Sequence, residues 1–220
     1  MTIPIFPPVP SGYLERVRQL LKDGQRKLLG LVGPPGAGKS TLARSLQHAF
    51  SEISQMVPMD GFHLANVELQ RLGRTARKGA PDTFDSAGYV ALLQRLRQQR
   101  SDEIIYAPEF RREIEEPVAG AIAVFPETRL VITEGNYLLL NSSHWAGVAA
   151  LLDEAWYVDV ETSLRMDRLT QRHEQFGRSQ QEAMDWVATT DEPNARLIAT
   201  TLPNATLVFR WDDASTDSTS

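Results

Sequence analysis

The run Gly33-Pro34-Pro35-Gly36-Ala37-Gly38-Lys39-Ser40-Thr41 constrains this chain more than any other segment of it. Its spacing is G-x-x-x-x-G-K-[ST], a loop whose glycines let the backbone curl into a nest of inward N–H groups. Such a nest binds phosphate oxygens. A lysine there adds a mobile positive charge near the β- and γ-phosphates, and the hydroxyl after it can ligate Mg²⁺. Pro34 and Pro35, which have no N–H, fall early in the loop, before the residues that must donate.

The flanks agree with this reading. Lys27-Leu28-Leu29-Gly30-Leu31-Val32 is a short apolar run suited to a buried parallel strand. Downstream, Leu42, Leu46, Ala49 and Phe50 share one face of a helix. A helix beginning at Lys39 would aim its N-terminal dipole at the bound phosphates. The loop therefore predicts a nucleoside triphosphate as ligand, held by Gly33, Gly36, Ala37, Gly38, Lys39, Ser40 and Thr41.

Strand and helix candidates alternate along the 220 residues without an internal repeat. Strands are expected at 27–32, 54–59, 103–106, 129–133, 154–158 and 206–210. Helices are expected at 11–21, 39–50, 64–72, 86–99, 143–152, 161–174, 179–190 and 194–201. That alternation predicts an α/β fold of three layers, a P-loop NTPase with a mostly parallel central sheet, helices on both faces and a helical lid. One domain over 1–212 is expected, with the lid near 161–180 and a disordered polar tail at 213–220. With 42% hydrophobic residues the chain can bury a full core. A net charge of −5 and a pI near 5.4 argue against an electrostatic nucleic-acid binder. No apolar run reaches bilayer-spanning length, the proline-rich start does not read as a signal peptide, and there is no cysteine. The expected compartment is cytoplasmic, where ATP is available.

Three further sites carry chemistry. Asp60, in Val57-Pro58-Met59-Asp60-Gly61-Phe62-His63, ends a strand, where α/β sheets place their ligand crevice. A carboxylate there can take a proton from an attacking hydroxyl or help hold Mg²⁺, although Asp-Gly also makes ordinary turns. Glu134 ends the apolar run Leu130-Val131-Ile132-Thr133 and is a candidate Mg²⁺ ligand, or else an acid facing solvent. Arg165, Arg168 and Arg172 recur at helical spacing, with Arg178 just past Gly177. Such a face can close over a nucleotide and stabilise the transferring phosphoryl group, or it is a solvated helix surface.

Together these motifs resemble the phosphate-loop kinases of small hydroxyl metabolites: uridine kinase, pantothenate kinase and phosphoribulokinase. The resemblance runs from Leu28 to Phe209 and rests on Met59-Asp60-Gly61-Phe62-His63, on Arg77-Lys78-Gly79-Ala80-Pro81-Asp82-Thr83-Phe84-Asp85, which resembles the segment lining the acceptor pocket in uridine kinases, and on Val131-Ile132-Thr133-Glu134-Gly135. Arg111-Arg112-Glu113-Ile114-Glu115-Glu116-Pro117 and Phe176-Gly177-Arg178-Ser179 look most like bacterial members labelled nucleoside kinase-like or fructose transport system kinases. The resemblance implies an ATP- and Mg²⁺-dependent kinase acting on a hydroxyl of a small metabolite, and it is compatible with a homodimer. The rival reading is a regulatory P-loop ATPase or GTPase that acts on a protein partner. The resemblance also implies roles. Asp60 becomes the general base, Lys39, Arg168 and Arg172 act on the phosphates, and Arg178 touches the nucleotide. Ser40, Glu134 and Asp60 form the metal side. His63, Phe84, Asp85, Phe110, Arg111 and Arg165 line the acceptor pocket, beside the plainer alternatives of a helix-start histidine, core aromatics and a capping aspartate. Where uridine kinases show an aromatic-acid pair, Phe110-Arg111 stands here, which predicts an anionic acceptor unless Arg111 merely pairs with Glu115.

Overall fold

A computed structural model describes residues 6–216. At its centre is a five-stranded sheet in the order β2-β5-β1-β6-β7, all neighbours parallel. The strands are β1 (Lys27–Val32), β2 (Ser54–Met56), β5 (Leu130–Gly135), β6 (Glu154–Val158) and β7 (Leu207–Phe209). Side chains alternate across β1, so Leu28 and Val32 enter one core with Val131, Tyr89 and Trp145. Leu29 and Leu31 enter the other, with Ile132, Leu42, Leu46 and Trp156. The second core lies under α1 (Ser11–Leu20) and α2 (Lys39–Ala49), the first under α4 (Ser86–Arg97). A sheet covered on both faces needs the continuous apolar strands that the sequence shows.

Five expected elements take another form. The strand expected over 54–59 stops at Met56, and Met59–Phe62 makes a 3₁₀ turn before α3 (Asn66–Arg71). The helix expected over 143–152 is replaced by two 3₁₀ turns, Ser143–Gly147 and Ala149–Leu151, because Trp145 turns inward and its indole N–H donates to the Pro81 carbonyl at 3.1 Å. The short strand expected at 103–106 is one arm of an antiparallel hairpin outside the main sheet, β3 (Ile105–Arg111) with β4 (Glu116–Val124). Pro117 and Gly120 argue against a strand at β4 in sequence, but an edge strand tolerates both. The two helices expected at 179–190 and 194–201 form one rod: α6 (Gln180–Trp186), a π turn over Val187–Asp191, and α7 (Glu192–Ala199). Pro193 cannot donate to the preceding turn, and the widened turn accommodates it. That rod packs on α5 (Thr162–Gln175), and together they overhang the C-terminal ends of the strands. Of the tail expected at 213–220, residues 213–216 belong to a 3₁₀ turn, Trp211–Thr216, and 217–220 lie outside the described residues. Among the described residues no helix is long and apolar enough to cross a membrane.

Candidate active site

At the C-terminal edge of the sheet, a cleft of about 1050 Å³ opens between the 33–41 loop, the 59–63 turn, the β3–β4 hairpin and the α5–α6 lid. Gly36 and Gly38 have φ of 80° and 90°, left-handed values that favour glycine. A side chain at Gly36 would also strike the Arg165 carbonyl at 2.9 Å. Gly38 caps α2, so the unpaired N–H groups of that helix's first turn face the cleft.

Lys39 is buried, and its ammonium donates to the Gly33 carbonyl at 2.9 Å, the Pro34 carbonyl at 3.1 Å and Asn136 Oδ1 at 2.8 Å. Burial pushes its pKa down to about 8, against the opposing pull of Glu134 and Asp60. Ser40 Oγ donates to Glu134 Oε1 at 2.8 Å. Burial, with Asp60 as the nearby like charge, holds the Glu134 carboxyl above its usual range. Two hard oxygen donors beside a phosphate loop suit Mg²⁺, which prefers carboxylate and hydroxyl oxygens.

Asp60 stands at the cleft wall, 3.4 Å from the Arg112 guanidinium. Three residues on, His63 Nδ1 lies 2.8 Å from the Asp60 carbonyl, so Nδ1 carries the proton and Nε2 is left as an acceptor. Burial lowers the pKa of His63, against the opposing pull of Asp60, and so favours the neutral ring. Its ring centre lies 4.0 Å from that of Phe84 and 4.7 Å from that of Phe110, with the planes tilted by 41° and 44°, giving an aromatic wall. From the lid, Arg168, Arg172 and Arg178 line the opposite side, with Arg178 stacked 3.7 Å over Trp186.

Three expected pocket residues lie elsewhere. Asp85 is exposed and caps α4 through Gly88 N–H at 2.8 Å. Arg111 points away from the cleft and pairs with Glu109 at 2.8 Å, not with Glu115, while Arg112 faces in. Arg165 is buried beneath the phosphate loop and pairs with Glu192 of α7. Gly33 and Ala37 support the loop from behind without lining the cleft.

Several cleft residues were not anticipated from sequence. Asn136 follows β5, two residues past Glu134. Lys78 belongs to the 77–85 run that resembles an acceptor-pocket segment, but carried no role of its own there; Trp211 lies in a segment without a regular pattern, and only the fold brings it in.

A parallel sheet carrying a phosphate loop, a strand-end acid and a helical lid defines a P-loop NTPase fold. The phosphoribulokinase/uridine kinase family model matches residues 28–216, and the chain belongs to that family of P-loop kinases. A Schizosaccharomyces pombe protein provisionally named a uridine kinase is 37% identical over 224 residues, covering 96% of this chain and 95% of that one. The uncharacterised Escherichia coli protein YggC is 32% identical over 209 residues, covering 93% and 86%. Among solved structures, a Silicibacter sp. TM1040 protein, provisionally named a fructose transport system kinase, superposes with a TM-score of 0.80. It is 38% identical, with 91% of this chain and 96% of that one covered.

Proposed function

We propose that this chain is an ATP-dependent kinase that transfers the γ-phosphoryl group to a hydroxyl of a small metabolite. One observation carries the reading: Asp60 shares a single cleft with Lys39, Ser40 and Glu134 on one side and the lid arginines on the other. A nucleotide-binding switch needs the loop; it does not need a carboxylate facing an aromatic wall across from it. The family membership supports kinase chemistry, and the names of the relatives support a small acceptor.

In this reading the nest and the start of α2 cradle the phosphates, and Lys39 leaves the Gly33 and Pro34 carbonyls to meet them. Ser40 and Glu134 would hold Mg²⁺, which when bound neutralises charge on the phosphates. Asp60 accepts the proton of the acceptor hydroxyl as it attacks. Arg168 and Arg172 stabilise charge on the transferring group, and the closed lid keeps water from competing. Arg178, with Trp186, contacts the nucleotide from the lid side.

The test is product formation. The protein, MgATP and a library of small alcohols should give ADP and one class of phosphoester, resolved by mass spectrometry. Stimulation of ATP hydrolysis by a protein partner alone, with no phosphoester, would favour the regulatory reading instead.

A further inference from the structure

Resting on the kinase reading, we infer that the acceptor carries an anionic group, a carboxylate or a phosphate, seated between Lys78 and Arg112 beside the Phe110 ring. Lys78 Nζ lies 5.1 Å from the centre of that ring, and the Arg112 guanidinium carbon lies 5.9 Å from it. An ammonium has three donors. Lys78 uses one on Asn66 Oδ1 at 2.8 Å and one on the Glu115 carbonyl at 2.5 Å. The Glu115 carboxylate stands 3.7 Å away, beyond hydrogen-bond reach. One donor therefore has no acceptor among the described residues, although the side chain is only 17% exposed. Arg112 makes one long contact, 3.4 Å to Asp60, and its other guanidinium donors have no partner among the described residues.

Arg112 bridges the two halves of the cleft, acting on Lys39 and Arg172 as well as on His63, whereas Lys78 belongs to the acceptor side. The charges acting on Lys39 are Glu134, Asp60, Arg172 and Arg112; Lys78 is not among them and acts on His63 instead. Lys78 is anchored to Asn66 and to the Glu115 carbonyl at the β3–β4 turn, beside the Phe110 ring. An acceptor whose hydroxyl meets Asp60 and whose carbon skeleton lies on the His63–Phe84–Phe110 wall would place its far end at Lys78, with Arg112 reaching over from beside Asp60. Each cation has a carboxylate nearby, Glu115 at 3.7 Å from Lys78 and Asp60 at 3.4 Å from Arg112, but a neutral end would still leave their open donors unfilled once the lid excludes water. An anion fills the open donors of both.

The experiment uses the full chain with MgATP and neutral alcohols, each matched to its carboxylate and its phosphate: glycerol, glycerate and glycerol 3-phosphate; ribose, ribonate and ribose 5-phosphate; and similar sets of polyols and nucleosides. An anionic member should exceed its neutral counterpart in kcat/KM by about tenfold to a hundredfold, the usual worth of charge-assisted hydrogen bonds. The carboxylate and phosphate arms then identify which anion is read. In Lys78→Gln and Arg112→Gln that preference should collapse toward unity, mainly through KM, whereas Lys78→Arg should keep it. Equal or better use of the neutral members overturns the inference and leaves the kinase reading intact. An anion preference that survives both glutamine variants overturns the assignment to these residues. No phosphoester from any member defeats the kinase reading itself, and the inference with it.

Discussion

At the scale of single residues, Asp60 and Lys39 give the sharpest expectations. Asp60→Asn removes the proton acceptor while leaving the phosphate loop untouched, so ATP affinity should hold within about twofold while transfer falls by about 10²–10⁴. Turnover that survives the change would reassign the base. Lys39 titrates near pH 8 in the free protein because it is buried. A triphosphate favours its charged form, so nucleotide binding above that pH must take up a proton. ATP affinity should therefore weaken as pH rises from about 8 toward 10, by up to tenfold per unit. Calorimetry at pH 9 in buffers of different ionisation enthalpy should register uptake of roughly one proton; a binding enthalpy independent of buffer would contradict it. Asp60, Lys39, Ser40 and Glu134 were legible in sequence because each sits in a short contiguous run at a strand end. Arg112 was not, for a reason that β3 makes plain. The strand expected there ends at residue 106, but β3 runs on to Arg111, and plain alternation puts Glu109 and Arg111 on one face and Phe110 and Arg112 on the other. The register shift between Ala107 and Glu109 is taken up by two extra residues on β4 and leaves that alternation unchanged. Phe110 and Arg112 then reach the cleft, and Arg111 faces away.

Secondary elements show where periodic reading succeeds and where contacts override it. β1, α2, α4, β5 and α5 follow from apolar spacing and end close to their expected limits, because the first four bury apolar side chains in the two cores and α5 packs on α6 and the π turn. The 143–152 turns, β4 and the π turn depend on contacts distant in sequence or on a proline that periodicity cannot weigh. Asp85 shows the same division. As an α4 cap, its replacement in Asp85→Ala should cost about 1 kcal/mol of stability without changing the KM of the acceptor; a raised KM would return it to the pocket. Arg165 keeps helical register with Arg168 and Arg172, yet it lies one turn nearer the phosphate loop, where Gly36 covers it. It ties α5 to α7 through Glu192. Glu192→Ala leaves a buried guanidinium without its carboxylate and should destabilise the fold by about 3–5 kcal/mol. Arg165→Met combined with Glu192→Leu should recover much of that loss. Denaturant unfolding of the single and double variants compares the two, and equal losses in both would show that the pair does not anchor the lid.

For the whole molecule, the question is why a chain of net charge −5 concentrates so many cations in one cleft. Lys39, Arg112, Arg172 and Lys78 all line it, and Arg172 is held below the usual arginine range by burial first and by Arg112 second. Asp60, Glu134 and Asp191 offset part of that charge. The remainder is like-charge repulsion and lost hydration carried by the nucleotide-free fold and relieved when an anion enters, a cost to stability that serves binding. Removing one such cation should therefore affect the free and bound states in opposite senses. Arg172→Met keeps a long apolar stem and deletes the charge, so the nucleotide-free melting temperature should be unchanged or rise by a few degrees. The upward shift produced by saturating MgADP is about 4 kcal/mol, or roughly 10 °C, for a ligand at a thousand times its dissociation constant. In the variant that shift should shrink, because the same ligand concentration represents fewer multiples of a weaker constant. A thermal melt of both proteins, with and without nucleotide, separates the possibilities. If Arg172→Met melts several degrees lower without ligand yet keeps the full nucleotide shift, Arg172 serves the fold, and the cleft's positive charge is not held in reserve for phosphate.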